Sequence, residues 1–264
     1  MHPIFGINRE KQNHLFYKEY TNTWGTFMFH SQIELHFVLE GEMNAWINNR
    51  HRVLKAGEMS VALSFDAHAY RTDGQSSTAM LIIPTYLCEE FIATIKNRRC
   101  STPFILDKEV VAKILSYTRE IANADPANKI KIQGYVYVVL GMLMEHLSFE
   151  ETDESFDPSF SSRILFYLDE HFKENLTTES IAIALGYSPS YLSRYFKSCF
   201  QIGIHQYLTI IRLKHAVMLL NEEKRSVTYC AMESGFNSMR TFYRAFEAEF
   251  GCSPGDYLKQ IKAV

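Results

Sequence analysis

Four polar residues in the first third of the chain carry side chains that could bind a metal ion or a small molecule. His30, Glu34 and His36 all occupy even-numbered positions of the sequence, and His68 follows later. Two histidines and one carboxylate are enough to hold iron or manganese. The same groups could hydrogen-bond to a polar ligand or play a purely structural role in a core. The residue types alone leave these three alternatives open.

The chain around these residues has the pattern of short β-strands. Apolar runs at 33–39, 44–49, 58–64 and 78–84 are separated by turn residues such as Gly41. Evenly spaced short strands favour a small barrel or a sandwich. Side chains alternate along a strand, so the even-numbered polar residues should share the face that a barrel turns inward.

A pocket on that inner face would need wall residues as well as polar groups. Trp46 and Tyr70 are candidates for the wall, and the alternative for Trp46 is plain core packing. Histidine titrates near neutral pH, so these histidines could instead act as a pH switch, but nothing in the sequence favours that alternative. The candidate pocket residues are His30, Glu34, His36, Trp46, His68 and Tyr70.

Helical patterns follow the strands. Asp107 is a suitable N-cap for a helix over 107–123, and a second helix is predicted over 126–147. Residues 148–160 contain five acidic residues and no basic one, a composition typical of a linker. The sequence therefore predicts a two-domain α+β protein. Its parts are a strand-rich domain with two helices over 1–147, a linker over 148–160 and an all-α domain over 161–264.

The helical half contains an internal repeat. The segment 186–188 (GYS) recurs as 235–237 (GFN), and Arg194 recurs as Arg244. In each copy a short amphipathic helix ends at a glycine, and a second helix repeats its apolar residues every four positions. This is the pattern of a helix-turn-helix motif, with short polar residues and arginine on the exposed face of the second helix. Two copies favour DNA binding over a purely structural helical domain.

Residues 160–260 resemble the AraC/XylS (arabinose-regulator) family of transcription regulators. The resemblance is carried by LTTESIAIALGYSPSYLSRYFK, by SVTYCAMESGFNSMRTFYRAFEAEFGCSPGDY, and within the latter by the motif Gly251, Ser253, Pro254 and Tyr257. In that family each recognition helix enters the DNA major groove. The resemblance therefore implies base contacts by Ser190, Ser193, Arg194, Met239, Arg240, Tyr243 and Arg244, and phosphate contacts by Lys197, Asn237, Ser238 and Thr241.

The N-terminal half resembles the cupin-type sensor domain that often accompanies this DNA-binding unit. The resemblance is carried by H-x3-E-x-H-x-V-L-E-G over 30–41, by Gly57-Glu58 and by His68. Metal-binding cupins have the pattern His-x-His-x3-Glu, and Met28 occupies the first histidine position here. Sensor cupins of this family commonly keep such polar residues without a metal. The resemblance therefore implies a cupin-like β-barrel with two helices, and it makes the six candidate pocket residues the predicted effector-binding residues. We expect neither a metal nor another cofactor.

Together these features predict a sequence-specific transcription regulator, not an enzyme, that responds to a small-molecule effector. The resemblance to the AraC/XylS family favours an activator. It also favours a sugar or other carbon source as the effector. The expected partners are double-stranded promoter DNA, the effector, a second copy of the chain packed through the helices at 107–147, and RNA polymerase. The alternative is a metal-dependent cupin enzyme with a helical appendage.

Charge and cysteine content agree with this prediction. The formal net charge of the 264 residues is −3, but residues 1–160 hold 15 basic and 20 acidic residues, whereas residues 161–264 hold 12 basic and 10 acidic residues. The acidity therefore lies in the sensor half, and the small positive charge of the helical half predicts modest non-specific affinity for DNA. Five cysteines without a CxxC pair, and no apolar leader or long apolar run, predict a cytoplasmic protein without membrane segments.

Overall fold

The chain divides into two compact units. The structure, a computed structural model, describes residues 3–12, 14–151, 157–200, 202–222 and 225–262. One unit is Phe5–Pro158, and the other is Ser159–Val264 together with Met1–Ile4. The first unit combines β-sheets with helices, and Ser159–Val264 is helical. The protein therefore has the expected two-domain α+β architecture.

The strands form two five-stranded sheets and one small pair. The strands in the described part of the chain are β1 (Ile4–Phe5), β2 (Phe16–Thr21), β3 (Met28–Phe29), β4 (Ile33–Glu40), β5 (Glu42–Ile47), β6 (Arg50–Lys55), β7 (Met59–Ala62), β8 (His68–Arg71), β9 (Ser77–Ile83), β10 (Arg98–Cys100), β11 (Phe104–Ile105) and β12 (Phe149–Glu151). Sheet A has the order β1-β3-β8-β5-β6, and sheet B has the order β11-β7-β4-β9-β2. Strand β10 pairs with β12.

The central strand β4 is buried on both faces. Ile33, Leu35 and Phe37 lie in the main hydrophobic core of this unit. On the opposite face, Val38 packs in a second core with residues of sheet A such as Met43 and Tyr70. The two sheets therefore face each other, and the even-numbered residues of β4 lie between them.

The expected closed barrel is not formed by the described strands, because no strand of sheet A pairs with a strand of sheet B. Two of the four edge strands, β1 and β11, have two residues each, which leaves little backbone for a ladder between the sheets. The architecture is therefore a pair of facing sheets.

Four helices complete the first unit: α1 (Ile7–Lys11), α2 (Glu89–Thr94), α3 (Lys108–Asn123) and α4 (Lys129–His146). A single 3-10 turn, Thr85–Leu87, precedes α2. The predicted N-cap is confirmed, since Asp107 accepts hydrogen bonds from the backbone N–H groups of Glu109 and Val110. Helix α4 begins later than position 126, because Asn128 caps it through the N–H of Lys131.

Two segments that the sequence analysis did not assign to strands contain strands. Strand β2, near the N-terminus, pairs along its whole length with β9 at the edge of sheet B. Strand β12 lies inside the segment predicted as a linker, and residues 152–156 of that segment lie outside the described residues. The linker over 148–160 therefore stays a prediction.

The helical unit contains seven helices in its described part: α5 (Pro158–His171), α6 (Thr178–Leu185), α7 (Pro189–Phe200), α8 (Ile204–Glu222), α9 (Val227–Glu233), α10 (Met239–Phe250) and α11 (Pro254–Lys262). Helix α6 ends directly before Gly186 and α9 ends two residues before Gly235, so the first helix of each copy ends at the predicted turn. Among the described residues, no helix is both long and apolar enough to cross a membrane.

Candidate nucleic-acid interface and buried polar cluster

The first helix-turn-helix motif consists of α6 and α7, each with a defined cap. The Thr177 side chain caps the start of α6, and α6 ends at Gly186, whose φ of 80° lies in the left-handed region. Ser188 caps α7 by accepting a hydrogen bond from the N–H of Tyr191 at 3.3 Å. Leu192 and Phe196 on α7 are fully buried. These local signals fix the turn and the buried face of α7.

The second motif, α9 and α10, repeats this construction. Ser226 caps α9, and the turn contains Gly235 at a φ of 84°. Ser238 caps α10, and Phe242 and Phe246 are fully buried. The same arrangement of caps, glycine and buried stripe therefore occurs twice.

The predicted DNA-contacting residues lie away from the buried faces of α7 and α10. Arg194 is exposed, and its Nε donates to the backbone oxygen of Ser190 at 3.3 Å. Met239 is only half-exposed and packs against the core of the second motif. The other predicted residues are all exposed, namely Ser190, Ser193, Arg194 and Lys197 in the first motif and Asn237, Ser238, Arg240, Thr241, Tyr243 and Arg244 in the second. Each second helix therefore presents a polar, arginine-bearing face to solvent.

The loop between α5 and α6 holds the second motif in place, a contact that the sequence did not predict. Arg212 on α8 donates to the backbone oxygens of Phe172 at 2.6 Å and Glu174 at 2.7 Å. A Cβ at Gly235 would lie 2.7 Å from the Cα of Lys173. The close approach of two backbone segments therefore favours glycine at position 235, a reason that the sequence pattern of the turn does not reveal.

Five of the six predicted effector-binding residues meet between the two sheets, and none of the five exposes more than 4% of its surface. The Nε2 atoms of His30 and His68 lie 3.4 Å and 3.7 Å from the same Oε2 of Glu34. The Nδ1 of His36 lies 3.9 Å from the other carboxylate oxygen, and its ring packs against Tyr70 at a centroid distance of 4.2 Å. These residues therefore form one buried cluster, in which Glu34 and His36 share a face as alternation along β4 predicts, whereas His30 precedes that strand.

Burial and charge set the protonation of this cluster. Burial alone would raise the pKa of Glu34, but the charged forms of His68 and His30 beside it lower that pKa to about 2. Burial lowers the pKa of His36 and of His68 to about 4, although Glu34 opposes both shifts. At neutral pH a carboxylate therefore lies among imidazoles of which at least two are neutral.

Two nitrogen atoms of the cluster have no hydrogen-bond partner among the described residues. They are the Nδ1 of His36 and the Nε2 of His68. The other nitrogen of His36 lies 3.2 Å from the Oγ1 of Thr78, a residue that the sequence pattern did not single out. Leaving a buried polar atom unpaired costs roughly 1–3 kcal/mol. An ordered water or an ion is one way in which such an atom is completed.

Trp46 does not join the cluster. On strand β5 the inward-facing residues are Met43, Ala45 and Ile47, all buried in the core between the sheets. Trp46 points to the opposite face, where its ring stacks on His51 at a centroid distance of 4.6 Å. The expectation that Trp46 forms a wall of the same pocket is therefore not met, because strand alternation turns it outward.

Comparison with known proteins agrees with the geometry of the helical unit. Residues 181–260 match a family of helix-turn-helix domains, HTH_18. The regulatory protein SoxS of Salmonella typhimurium is 33% identical over 98 residues, which cover 37% of this chain and 92% of SoxS. The chain belongs to the AraC/XylS family of transcription regulators.

Similarity to other regulators extends beyond the helical unit. The Msm operon regulatory protein of Streptococcus mutans is 25% identical over 235 residues, 86% of this chain and 84% of that protein. The structure of ToxT from Vibrio cholerae with a bound unsaturated fatty acid superposes with a TM-score of 0.52, covers 92% of this chain and 94% of ToxT, and is 13% identical. At that identity the likeness to ToxT shows a shared fold alone.

Membership of the AraC/XylS family assigns the helical unit its general role. Regulators with this helix-turn-helix unit bind promoter DNA, and each relative named above is a regulator. The protein is therefore a DNA-binding transcription regulator, and the alternative of a cupin enzyme is not supported.

Proposed function

We propose that this AraC/XylS regulator recognises its promoter by placing α7 and α10 in two successive major grooves of one DNA face, about 34 Å apart. The supporting observation is the pair of capped helices whose exposed faces both carry arginine. Helix α8 connects the two motifs and, through Arg212, also fixes the loop after α5. Such rigid spacing suits a binding site with two half-sites in fixed register.

The exposed residues divide by chemistry into two groups. Arg194, Arg240 and Arg244 can each donate two hydrogen bonds to guanine O6 and N7, the commonest specific base contact. Lys197 is a point charge on the same side of α7, and with Asn237 it suits contacts to phosphate. The arginines therefore give sequence discrimination, and the others give affinity for any sequence.

This division is tested by fluorescence anisotropy with promoter fragments. We expect Arg194→Ala or Arg244→Ala to reduce discrimination between the true site and a mismatched site by about 1–3 kcal/mol. We expect Lys197→Ala to weaken binding to both sites alike and to reduce the salt dependence. Lys259→Ala is the control, because this exposed lysine pairs with Asp256 on α11, outside both recognition helices. Unchanged discrimination in both arginine variants would refute the assignment.

The first unit is proposed as the sensor, a cupin-type domain built here from two facing sheets. His30, Glu34, His36, His68 and Tyr70 supply its ligand-contacting groups. The support comes from their inward orientation and from the unpaired nitrogens of His36 and His68. As in any ligand switch, the effector must bind the active arrangement of the protein more tightly than the inactive one.

The effector class and the sign of regulation stay predictions. A sugar or other carbon source and activation through RNA polymerase follow from family habit, whereas ToxT has been crystallised with an unsaturated fatty acid bound. A thermal-shift screen with sugars, fatty acids and organic acids tests the sensor role, since a specific ligand raises the melting temperature by mass action. Loss of the shift in Tyr70→Phe would support the cluster as its site. Cytoplasmic location likewise stays a prediction.

We further propose that the protein acts as a homodimer through α4. Tyr137 and Val138 are exposed apolar residues on this helix. Gly134 and Gly141 lie at the spacing that continues their stripe, and a Cβ at either glycine would meet no other atom within 4 Å. An exposed stripe at positions i, i+3, i+4 and i+7, with small residues at its ends, suits close packing against a second helix.

A further inference from the structure

The three closest polar groups of the buried cluster have the arrangement of a metal-binding triad. One ligand atom from each of His30, Glu34 and His68 lies within 4.8 Å of the other two. The two shortest separations are 3.4 Å and 3.7 Å, both to the Oε2 of Glu34. Three donors bound to one ion at about 2.0–2.2 Å lie roughly 3.0–3.5 Å from one another. A small contraction of the cluster would therefore give the geometry of a bound ion.

Backbone contacts orient the two histidine rings so that both Nε2 atoms face Glu34. The Nδ1 of His68 lies 2.8 Å from the backbone oxygen of Asp66, and the Nδ1 of His30 lies 3.2 Å from the backbone oxygen of Gln32. A carbonyl oxygen only accepts, so Nδ1 donates in both rings, and the Nε2 of His30 lies within hydrogen-bond distance, 3.4 Å, of the Oε2 of Glu34. A backbone carbonyl on the distal nitrogen is the usual support for a histidine that ligates a metal.

The Nε2 of His68 faces the Glu34 carboxylate at 3.7 Å and has no hydrogen-bond partner among the described residues. A buried nitrogen left unpaired beside a carboxylate is unfavourable, and a cation between the two groups would contact both. The geometry of the cluster therefore suits a bound cation.

We propose that His30, Glu34 and His68 bind one divalent transition-metal ion, of the kind that takes nitrogen and oxygen donors, such as Mn²⁺, Fe²⁺ or Zn²⁺. This inference names the ligand class of the sensor site and rests on the sensor function proposed above. It differs from the sequence-based expectation of no metal. The decisive difference is the shared orientation of the two Nε2 atoms, which backbone carbonyls impose and which no side-chain pattern reveals.

The close contacts of the cluster also favour an ion over a sugar at this position. The rings of His30 and His68 meet edge to face at a centroid distance of 4.8 Å, and both side chains contact Glu34. The donors are therefore close enough to surround a single ion, and an organic ring would have to force them apart. A sugar effector, if one binds the sensor, would need a different position or an opened cluster.

The proposal is tested by measuring the metal content of the full-length protein. The protein, with a tag free of histidine, is purified without chelator from cells grown with added Mn²⁺, Fe²⁺ or Zn²⁺, and its metal is measured by plasma mass spectrometry. We expect roughly one ion per chain with at least one of these metals. In His68→Gln and Glu34→Gln we expect the bound metal per chain to fall roughly tenfold or more. His51→Gln is the matched control, because His51 is exposed on the outer face of sheet A.

A second measurement does not depend on the folding of any variant. Wild-type protein stripped with a chelator is titrated with Co²⁺, and we expect visible d–d absorption together with a higher melting temperature. Wild-type protein that holds no more metal than His68→Gln and gives no Co²⁺ spectrum would overturn the proposal. Equal metal in wild type and both triad variants would also overturn it.

The outcomes separate this inference from the proposed function. Anisotropy on the same preparations reports DNA binding independently of metal. A sugar or fatty acid that stabilises metal-free protein, with no metal uptake in any arm, would refute the metal site and leave the sensor function standing. Absence of stabilisation by any ligand, metal included, would refute both.

Discussion

The burial of Lys214 on α8 should give the helical unit a distinct pH dependence. Burial lowers the pKa of Lys214 to about 8, and Glu249 on α10 partly opposes the shift. The unfolded chain therefore holds this proton over a pH range in which the folded chain has lost it. Stability should consequently rise between about pH 8 and pH 10.5, by roughly 1–3 kcal/mol from this residue.

Lys214→Met keeps the length of the side chain and removes the charge. We expect the variant to be more stable than wild type at pH 7, and the difference to shrink as the pH rises through about 8 and above. Urea melts of both proteins at several pH values measure it, and other groups that titrate cancel in the comparison. A difference that stays constant from pH 7 to pH 10 would contradict the pKa shift.

Single residues of the first unit show what strand alternation reveals and what it does not. Alternation placed Glu34 and His36 together, because β4 is a regular strand buried on both faces, whereas His30 precedes β4 and joins them from outside that strand. The same rule assigns Trp46 to the outer face, since Met43 and Ala45 mark the inner face of β5, and the wall prediction for Trp46 overlooked that signal. The orientation of the histidine rings depends on backbone oxygens, which have no signature in the sequence.

At the level of elements, the two turn glycines should differ in their tolerance of a side chain. Gly186 and Gly235 both have positive φ, but a Cβ at Gly186 would meet nothing within 4 Å. At Gly235 it would lie 2.7 Å from the Cα of Lys173 and 2.9 Å from the oxygen of Phe172. We expect Gly186→Ala to cost about 1–2 kcal/mol from backbone strain alone. Gly235→Ala should cost about 2–4 kcal/mol, because backbone atoms must also move.

Chemical denaturation of the two variants tests this difference, and each is the control for the other. DNA binding by folded Gly235→Ala should also weaken, since the strain displaces the turn that positions α10. Equal destabilisation of the two variants would show that the loop after α5 moves easily. The contact with Lys173 would then not fix the second motif.

The elements themselves were predictable to different degrees. The bounds of α6 and the cap of α10 follow from Thr177, Gly186 and Ser238, which act within one turn of the chain. The open arrangement of the two sheets could not be predicted, because it depends on edge strands such as β1 and β11 that are too short for any periodicity. Helix caps can thus be predicted from the sequence, whereas sheet closure depends on contacts between distant segments.

At the scale of the whole molecule, DNA affinity should depend on assembly as well as on individual contacts. Residues 161–264 hold only a small excess of basic over acidic residues, so non-specific attraction to DNA is modest. Two linked DNA-binding units gain affinity because the second binds at a high effective concentration. A homodimer through α4 would supply this gain, and its loss should be measurable.

Val138→Glu places a charge in the middle of the exposed stripe of α4. Val138 is 42% exposed in the chain, so the folded protomer should tolerate the change with little loss of stability. At the dimer surface the charge would be buried without a partner, which is strongly unfavourable. We expect light scattering to give the 30.6 kDa mass of one chain for the variant and twice that for wild type.

The matched control is Lys113→Glu, which changes charge at an exposed position of α3, away from the stripe. We expect this control to remain dimeric, and Val138→Glu to bind a two-site promoter fragment about tenfold or more weakly while binding a single half-site as wild type does. The half-site measurement separates lost assembly from damage to the helical unit. A dimeric Val138→Glu would exclude the α4 stripe as the interface, and a monomeric wild type would exclude the dimer itself, so each part of the proposal can fail independently.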